Sequence, residues 1–147
     1  LDKKGGTSIE YIRQFMKGKF PGAPKFAVLI SDVKDIAKAH VACIGNNKVG
    51  GRRLIVGKEV KKLVELSQLI AEAMPEYKKK LPTKELPNLM VKLISYIDSS
   101  AKTMIPDLGI MMQTDTSYAE EILGFKFKPA KGCISENAKS VVRLGLV

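Results

Sequence analysis

Hydrophobic and polar residues in this chain follow two periods, one typical of strands and one typical of helices. The run Phe26–Ile30 is continuously apolar, which indicates an extended segment buried on both faces. Apolar side chains then recur with helical spacing at residues 33, 36, 37, 40, 41 and 44. Asp32 is placed to accept the free amides of the first helical turn, and Gly45 to close the helix in a left-handed conformation. We therefore predict a buried strand followed by a helix whose apolar stripe faces the core.

The segments on either side of this unit also show clear patterns. Thr7 and Glu10 have the spacing of a capping box, which predicts a helix over residues 7–18. A second continuous apolar run at residues 54–56 predicts a short buried strand over residues 52–57. Both strands are expected to need neighbouring strands, because two short strands do not form a stable sheet alone.

Helical spacing dominates the pattern after residue 57. The predicted elements are helices over residues 60–74, 88–97, 98–105, 117–124 and 134–147, and a short strand over residues 125–129. Pro75 ends the first of these helices, and the apolar residues between 89 and 97 share one face of the second. Ser117 and Glu120 form a second capping box, with Gly124 as the C-cap. The predicted fold class is α/β, mainly helical with a few short strands.

Charge is the feature of the composition that most affects the functional interpretation. The 147 residues carry a formal charge of +10, from 25 basic and 15 acidic residues. A basic chain suggests nucleic-acid binding, but only four of the basic residues are arginine and tryptophan is absent. Base readout and stacking favour arginine and aromatic side chains. We therefore expect a solvated basic surface, without a nucleic-acid partner, whose field favours anionic ligands.

The sequence contains little that would perform chemistry. Cys43 and Cys133 fit either a disulfide or two reduced, mostly buried thiols, and the second interpretation is favoured. His40, the only histidine, lies on the apolar stripe and is interpreted as a core residue, so no metal site is expected. Glycine-rich dinucleotide fingerprints, a Walker A loop, a Tyr-x-x-x-Lys pair and a Gly-x-Ser-x-Gly elbow are all absent from the sequence. We expect no catalytic residue in this chain.

Several segments together resemble one family. The stretch Phe26–His40, followed by residues 51–57, is similar to the C-terminal half of extended short-chain dehydrogenases/reductases. The pattern Asp-x-Ser-x-Ala-x-x-x-Leu-Gly over residues 115–124 and the ending Ala138–Val147 are similar to later segments of the same family. The branch that this chain resembles is the dihydroflavonol-4-reductase-like group of the NAD-dependent epimerase/dehydratase superfamily.

This resemblance implies a two-lobed parent protein. Its N-terminal lobe would be a Rossmann fold that binds NADP or NAD and carries the catalytic tyrosine and lysine. Residues 1–147 would be the single C-terminal, substrate-binding lobe, lacking the dinucleotide-binding lobe and inert alone, and no cofactor is expected to bind this segment alone. The start Leu-Asp-Lys-Lys reads as the cut end of a longer chain. No apolar run approaches the ~20 residues of a membrane span, so no membrane partner and a cytoplasmic location are expected.

The resemblance also suggests where substrate would bind. Related nucleotide-sugar enzymes carry a phosphate-binding arginine at the position of Val28, so a small apolar or aromatic carbonyl compound is the expected substrate here. The loop before the central helix lines the pocket in the reductase branch. The candidate substrate contacts are Phe20, Pro24, Phe26, Ala27, Leu29 and Met112, with Met111 and Gln113 as weaker candidates. Core and interlobe packing is an equally good interpretation of these residues.

Two other hypotheses account for the same chain. The first is a binding module without enzymatic activity, which folds as a homo-oligomer and pairs its two unpartnered strands across subunits. The second is an electrostatic nucleic-acid binder, which rests only on the charge of +10. The favoured interpretation is the substrate-binding part of an NAD(P)-dependent oxidoreductase that reduces a ketone or aldehyde.

Overall fold

The computed structural model describes residues 6–97 and 99–147, which contain seven α-helices and a two-stranded sheet. The helices are α1 (Thr7–Met16), α2 (Val33–Cys43), α3 (Leu63–Ala73), α4 (Asn88–Ile94), α5 (Ser99–Met104), α6 (Ser117–Leu123) and α7 (Ala130–Arg143). The strands are β1 (Ala27–Ile30) and β2 (Glu59–Lys62). Short 3-10 turns occupy Pro75–Tyr77 and Ile105–Asp107. The predicted α/β class, mainly helical with few strands, is confirmed.

The main core lies where α1 and α3 pack against α7. Met16, Ile70 and Val141 come from these three helices, and each is fully buried. Phe15 meets Phe20 edge to face, with 5.4 Å between ring centroids. Truncating one such side chain to alanine typically costs about 2–5 kcal/mol. The helix predicted before Pro75 is present as α3, and Leu63, Leu66 and Ile70 on it are buried.

The sheet differs from the prediction. β1 pairs with β2 in antiparallel register, with Ala27 opposite Lys62 and Ile30 opposite Glu59. The predicted strand over residues 52–57 is wrong, because this segment has no regular secondary structure and belongs to no ladder among the described residues. Leu54 and Val56 instead pack against a second, smaller core formed by Ala39, Ala119, Leu123 and Phe127. The predicted start of α3 at Val60 is also wrong, since Val60 lies in β2 opposite Leu29.

Helix α2 has the predicted ends but the opposite orientation. Asp32 caps it, since its carboxylate accepts the Lys34 amide at 2.8 Å. Gly45 adopts the left-handed conformation, with a φ of 71°. The predicted burial of the apolar stripe is wrong, because Val33 and Val41 are 74% and 69% exposed. The stripe therefore forms a surface of the described part of the chain.

The buried face of α2 is the narrow one that carries Asp35 and Ala39. The Asp35 carboxylate accepts the backbone amide of Lys128 at 2.6 Å, and α2 packs against α6 on this side. His40 is exposed, with its Nδ1 2.8 Å from the Ile36 carbonyl oxygen, so its interpretation as a core histidine is wrong. The buried face of α2 thus carries a polar contact between residues that are 93 apart in sequence.

Helix α4 begins after Pro87 as predicted, but its apolar face is not packed. Leu89, Leu93 and Ile97 are exposed, and Val91 is the buried residue of the helix. The helix has only two turns and lies against α5, which begins at Ser99. The boundary between the helices predicted over residues 88–97 and 98–105 falls on residue 98, which lies outside the described residues. A helix this short covers little of the core, so most of its face remains exposed.

Both predictions of a capping box are wrong. The N-cap of α1 is Gly6 rather than Thr7, and the N-cap of α6 is Thr116. At α6, the amide and hydroxyl of Ser117 both donate to Asp115 Oδ1, at 2.9 and 2.6 Å. Glu120 therefore does not cap the helix, and its side chain is buried. Gly124 does close α6, with a φ of 74°, as predicted.

The predicted strand over residues 125–129 is also wrong. This segment pairs with no strand among the described residues, and carboxylate oxygens accept the hydrogen bonds of its amides. Glu120 Oε1 accepts from Phe127 at 3.0 Å, Asp35 from Lys128, and Glu59 Oε1 from the Ala130 amide at 3.3 Å. The last helix is confirmed, although it begins at Ala130 rather than near residue 134.

Two further points concern the whole chain. The cysteines are free, Cys133 buried and Cys43 partly buried, which agrees with the favoured prediction of reduced thiols. Within the described ranges, no helix combines the length and apolar character that crossing a bilayer requires.

Candidate functional site

A cleft of about 1050 Å³ opens between α1, α7 and the junction of β1 with α2. Four segments contribute its walls: Ile9 to Phe15 of α1, Val28 to Lys34 of the junction, Leu63 and Leu66 of α3, and Cys133 to Arg143 of α7. A volume of this size accommodates an organic molecule of drug-like dimensions. It is the candidate functional site of the chain.

The floor of the cleft is apolar. Ile12 and Phe15 of α1 meet Leu63 and Leu66 of α3 there, and Ile134 of α7 completes the surface. These side chains also belong to the main core, so their positions are held by packing on their other sides. A floor of this kind favours the apolar body of a ligand, while its polar groups must be met at the rim.

The junction of β1 and α2 is held from behind by residues 52–57. Ser31 Oγ donates to the Val56 carbonyl oxygen at 2.5 Å. Gly57 lies directly against Leu29, and a Cβ at this glycine would come within 2.7 Å of the leucine side chain. Leu29 lines the cleft. This segment therefore positions a residue of the candidate site, although it contributes no lining residue itself.

Charged residues at the junction form a closed network. Lys128 Nζ lies 3.3 Å from Asp32 Oδ2 and makes a short hydrogen bond to Glu136 Oε1. Lys34 Nζ lies 3.6 Å from the other oxygen of Glu136. Burial works against the ionised form of Asp32, but the Lys34 amide and Lys128 lower its pKa nevertheless. Glu136 is the main group that raises the pKa of Lys128.

Cys133 lies in the same wall, and burial, with Asp32 adding to it, raises the pKa of its thiol to about 11. The thiol therefore stays protonated and is a poor nucleophile near neutral pH. Asp32 stays ionised and Lys128 stays protonated under the same conditions. Groups with fixed charge orient a ligand but do not exchange protons with it. The arrangement is therefore suited to binding.

The α7 wall carries polar residues that the sequence analysis missed. Ser140 and Arg143 line the cleft, as does Lys139. Asn137 lines it as well, and its Oδ1 is buried without a hydrogen-bond partner among the described residues. The helical period predicts that residues 134, 138, 141 and 142 are apolar and packed, and these polar residues lie beside that stripe. Only the positions of α1 and α7 in the fold show that these polar residues face a cleft.

The structure separates the six predicted contact residues. Leu29 lines the cleft, whereas Phe20 and Phe26 are buried in the main core. Pro24 and Ala27 are buried nearby, and Met112 is 46% exposed. The segment that carries Met112 nevertheless lies beside β1, because the Ala27 amide donates to the Ile110 carbonyl oxygen at 3.3 Å. The 109–112 segment thus runs beside the loop that leads into β1.

A second feature is the outer face of α2. Ala37, Val41 and Ala42 form a shallow apolar depression of about 470 Å³ with Lys38 and Phe125. Val33 and Ile44 continue the apolar surface at either end of the helix. We call the exposed residues Val33, Ala37, Val41 and Ile44 the outer stripe of α2. Exposed apolar residues that adjoin one another in this way are a common feature of association sites.

Comparison with known proteins gives matches only among solved structures. No protein-family model and no curated protein matches the sequence. Gre2 from Candida albicans is 20% identical with a TM-score of 0.65, and covers 99% of this chain with 39% of its own. Yeast methylglyoxal/isovaleraldehyde reductase Gre2, solved with NADPH, is 23% identical with a TM-score of 0.67, over 99% of this chain and 43% of its own. The protein gox2253 is 17% identical, with a TM-score of 0.73, over 98% and 46%.

These similarities establish the fold. Nearly the whole chain follows the backbone of each of these structures, at sequence identities of 17–23%. The chain spans less than half the length of each matched protein. It therefore has the fold of one part of these larger proteins, two of which were solved with NADPH.

Proposed function

We propose that this chain is the substrate-binding lobe of an NADP(H)-dependent reductase that acts on aldehydes or ketones. One observation carries the proposal: a fold shared over 99% of the chain with a methylglyoxal/isovaleraldehyde reductase that binds NADPH. Fold alone does not determine function, but the cleft adds a site of suitable size with an apolar floor. The finer assignment, to the dihydroflavonol-4-reductase-like branch, rests on the sequence motifs.

The residues of this chain do not fit NADP(H). Dinucleotides bind where a glycine-rich turn joins a parallel strand to a helix, and the sheet of the described residues is a two-stranded antiparallel ribbon. We therefore assign the cofactor, the hydride transfer and the acid that protonates the carbonyl to a separate Rossmann lobe. The role of this chain would be to bind the carbonyl compound, orient it and exclude water from it.

The outer stripe of α2 is the surface that we assign to this second lobe. Val41 and Ile44 are 69% and 81% exposed, although they lie on a regular apolar stripe. Residues 53–57 have no regular secondary structure, and their amides have no backbone acceptor among the described residues. A helix with one exposed apolar face, followed by an apolar segment whose amides are unpaired, fits the edge of a parallel sheet that another lobe provides.

Within the cleft, we propose that Leu29 contacts substrate directly, since it lines the cavity beside Ser31. Phe20, Pro24, Phe26 and Ala27 would support the strand that carries Leu29. Met112 would contact substrate from the exposed 109–112 segment. The proposed substrate is a small carbonyl compound with an apolar or aromatic body, because the wall formed by β1 carries only apolar side chains.

The test uses the complete gene product that contains these 147 residues. We expect it to bind NADPH and to oxidise it when methylglyoxal, isovaleraldehyde or an aryl ketone is added, as measured by absorbance. The 147-residue chain alone should consume no NADPH. A complete product that neither binds NADPH nor reduces any of these compounds would refute the proposal.

Leu29→Ala tests the cleft within that assay. Loss of one apolar contact should lower kcat/KM for the carbonyl compound roughly tenfold, while the Kd for NADPH stays the same. Leu93→Ala removes an equal side chain from an exposed position outside the cleft and should leave both constants unchanged. Equal effects of the two variants would place the substrate elsewhere.

A homo-oligomeric binding module remains the second candidate, and one observation favours it. Helix α4 and residues 110–112 each expose apolar side chains that association would cover. Light scattering of the complete gene product distinguishes the two proposals. A stable oligomer without NADPH binding would favour the module, whereas NADPH binding by any species favours the reductase.

A further inference from the structure

The charges that line the cleft do not cancel. Asp32 and Glu136 are its two lining carboxylates, and both are already paired, with Lys128 and Lys34. Lys139 and Arg143 also line the cleft, and neither has a carboxylate within ion-pair distance among the described residues. The wall of α7 therefore presents two cations that no acidic group of the described chain neutralises.

The positions of these two cations are favourable for joint action. Residues 139 and 143 are four apart on α7, so their side chains lie on one side of the helix. Arg143 Nη2 lies 3.4 Å from Ser140 Oγ, which also lines the cleft and helps to orient the guanidinium group. Like charges at this spacing repel each other mildly, and a bound anion removes that cost. Ile134, which is also on α7, belongs to the apolar floor of the same cleft.

We propose that the cleft binds a ligand with an apolar body and a terminal carboxylate, and that Lys139 and Arg143 hold the carboxylate. This inference rests on the proposed function, and within it the substrate class becomes apolar 2-oxo acids. The aryl or alkyl group would lie on the floor formed by Ile12, Phe15 and Leu66. Arginine suits this role because its guanidinium group binds a carboxylate through two parallel hydrogen bonds.

The experiment compares two ligands that differ in one group. 4-Phenyl-2-oxobutanoate carries the carboxylate, and 1-phenylpentan-3-one carries an uncharged ethyl group of similar size in its place. Binding of each to the 147-residue chain is measured by NMR titration at low salt, without NADPH. We expect the carboxylate to bind roughly five- to tenfold more tightly, as two partly exposed ion pairs would give. Added NaCl should reduce this preference.

Two double variants decide which residues are responsible. In Lys139→Gln/Arg143→Gln, the preference for the carboxylate should disappear while binding of the ketone is unchanged. Lys92→Gln/Lys131→Gln removes the same charge from exposed positions that do not line the cleft, and should keep the preference. Equal binding of the two ligands by the unmodified chain, or a preference that survives in the first variant, would overturn the inference.

This test is independent of the reductase assay. If the chain prefers the carboxylate but the complete gene product reduces nothing, the proposed function fails and the anion site stands. If the complete product reduces 1-phenylpentan-3-one as efficiently as the oxo acid, the reductase stands and the anion site fails.

Discussion

Glu120 shows how one buried side chain takes the place of a neighbouring strand. Its carboxylate lies 2.8 Å from Lys58 Nζ, 3.0 Å from the Phe127 amide and 3.0 Å from Lys126 Nζ. Lys58 contributes most to lowering its pKa, from 4.5 to about 2. Because the pKa is lower in the folded protein, the resulting stabilisation is complete above pH 4.5 and is lost as the pH falls towards 2.

Glu120→Gln should remove this dependence. We expect the free energy of unfolding of the unmodified chain to fall more steeply between pH 4.5 and 2 than that of the variant, as measured by urea unfolding. Glu121→Gln is the matched control at an exposed neighbouring position and should keep the steeper fall. Parallel pH profiles for the unmodified chain and Glu120→Gln would contradict this account.

Gly57 is a second residue whose role depends on one close contact. A Cβ at this position would come within 2.7–2.9 Å of three carbon atoms of Leu29. Gly57→Ala should therefore force Leu29 to move and destabilise the chain by about 1–3 kcal/mol, as overpacking does. Gly50→Ala, where a Cβ has only one neighbour at 3.9 Å, should be nearly neutral.

Thermal unfolding of the single and double variants tests the contact directly. If the clash is with Leu29, then adding Leu29→Ala to Gly57→Ala should cost less than the sum of the two changes. Simple additivity would show that the alanine is accommodated in another way.

At the scale of secondary-structure elements, the helices were largely predictable and their orientation was not. Periodicity gave α1, α3 and α7 with their buried faces, because these helices pack on one another within the chain. The stripe of α2 has the same periodicity but faces outward. A hydrophobic pattern identifies the face that prefers burial, and it does not say whether the surface that covers this face lies within the same 147 residues.

Two of the predicted strands were wrong for a related reason. Residues 52–57 and 125–129 have the apolar or alternating pattern of strands, yet neither belongs to a ladder among the described residues. Their backbone groups bond to the side chains of Ser31, Asp35 and Glu120, and the Ser31 and Asp35 bonds span 25 and 93 residues of sequence. Single polar side chains have no periodic pattern in the sequence. Hydrogen bonds from them that replace strand pairing are therefore visible only in the fold.

The orientation of α2 gives a prediction at the same scale. Val41→Lys places a charge on the exposed outer stripe and should change the free energy of unfolding by less than about 0.5 kcal/mol. Ala39→Lys places the same side chain on the buried face, where Ala39 is 4% exposed, and should cost at least about 3 kcal/mol through overpacking and desolvation. Urea unfolding of the two variants measures both values. A larger loss for Val41→Lys would contradict the observed orientation.

At the scale of the whole molecule, the candidate site combines predictable and unpredictable parts. The junction of β1 with α2, including Leu29, followed from the sequence because strand and helix are consecutive. The opposite wall, formed by Asn137, Lys139 and Arg143, comes from the other end of the chain. The sequence assigned no role to those residues, since nothing in their spacing distinguishes a cleft from solvent.

The unpaired segment gives a prediction about assembly. In the 147-residue chain, the amides of residues 53–57 should exchange with deuterium nearly as fast as in an unfolded peptide, because the structure gives them no backbone acceptor among the described residues. In the complete gene product, pairing with a second lobe should slow their exchange at least roughly tenfold. Mass spectrometry of peptic fragments measures both rates. Unchanged fast exchange would mean that this segment joins no sheet.

The two thiols differ in a way that makes the chain convenient for labelling. Cys133 is 8% exposed, and burial foremost raises its pKa to about 11, so maleimide reagents should not modify it at neutral pH. Cys43 ends α2 and is more accessible, one residue from Ile44 of the outer stripe. A fluorophore attached there, without any engineered cysteine, would report the arrival of a protein partner at this helix as a change in emission.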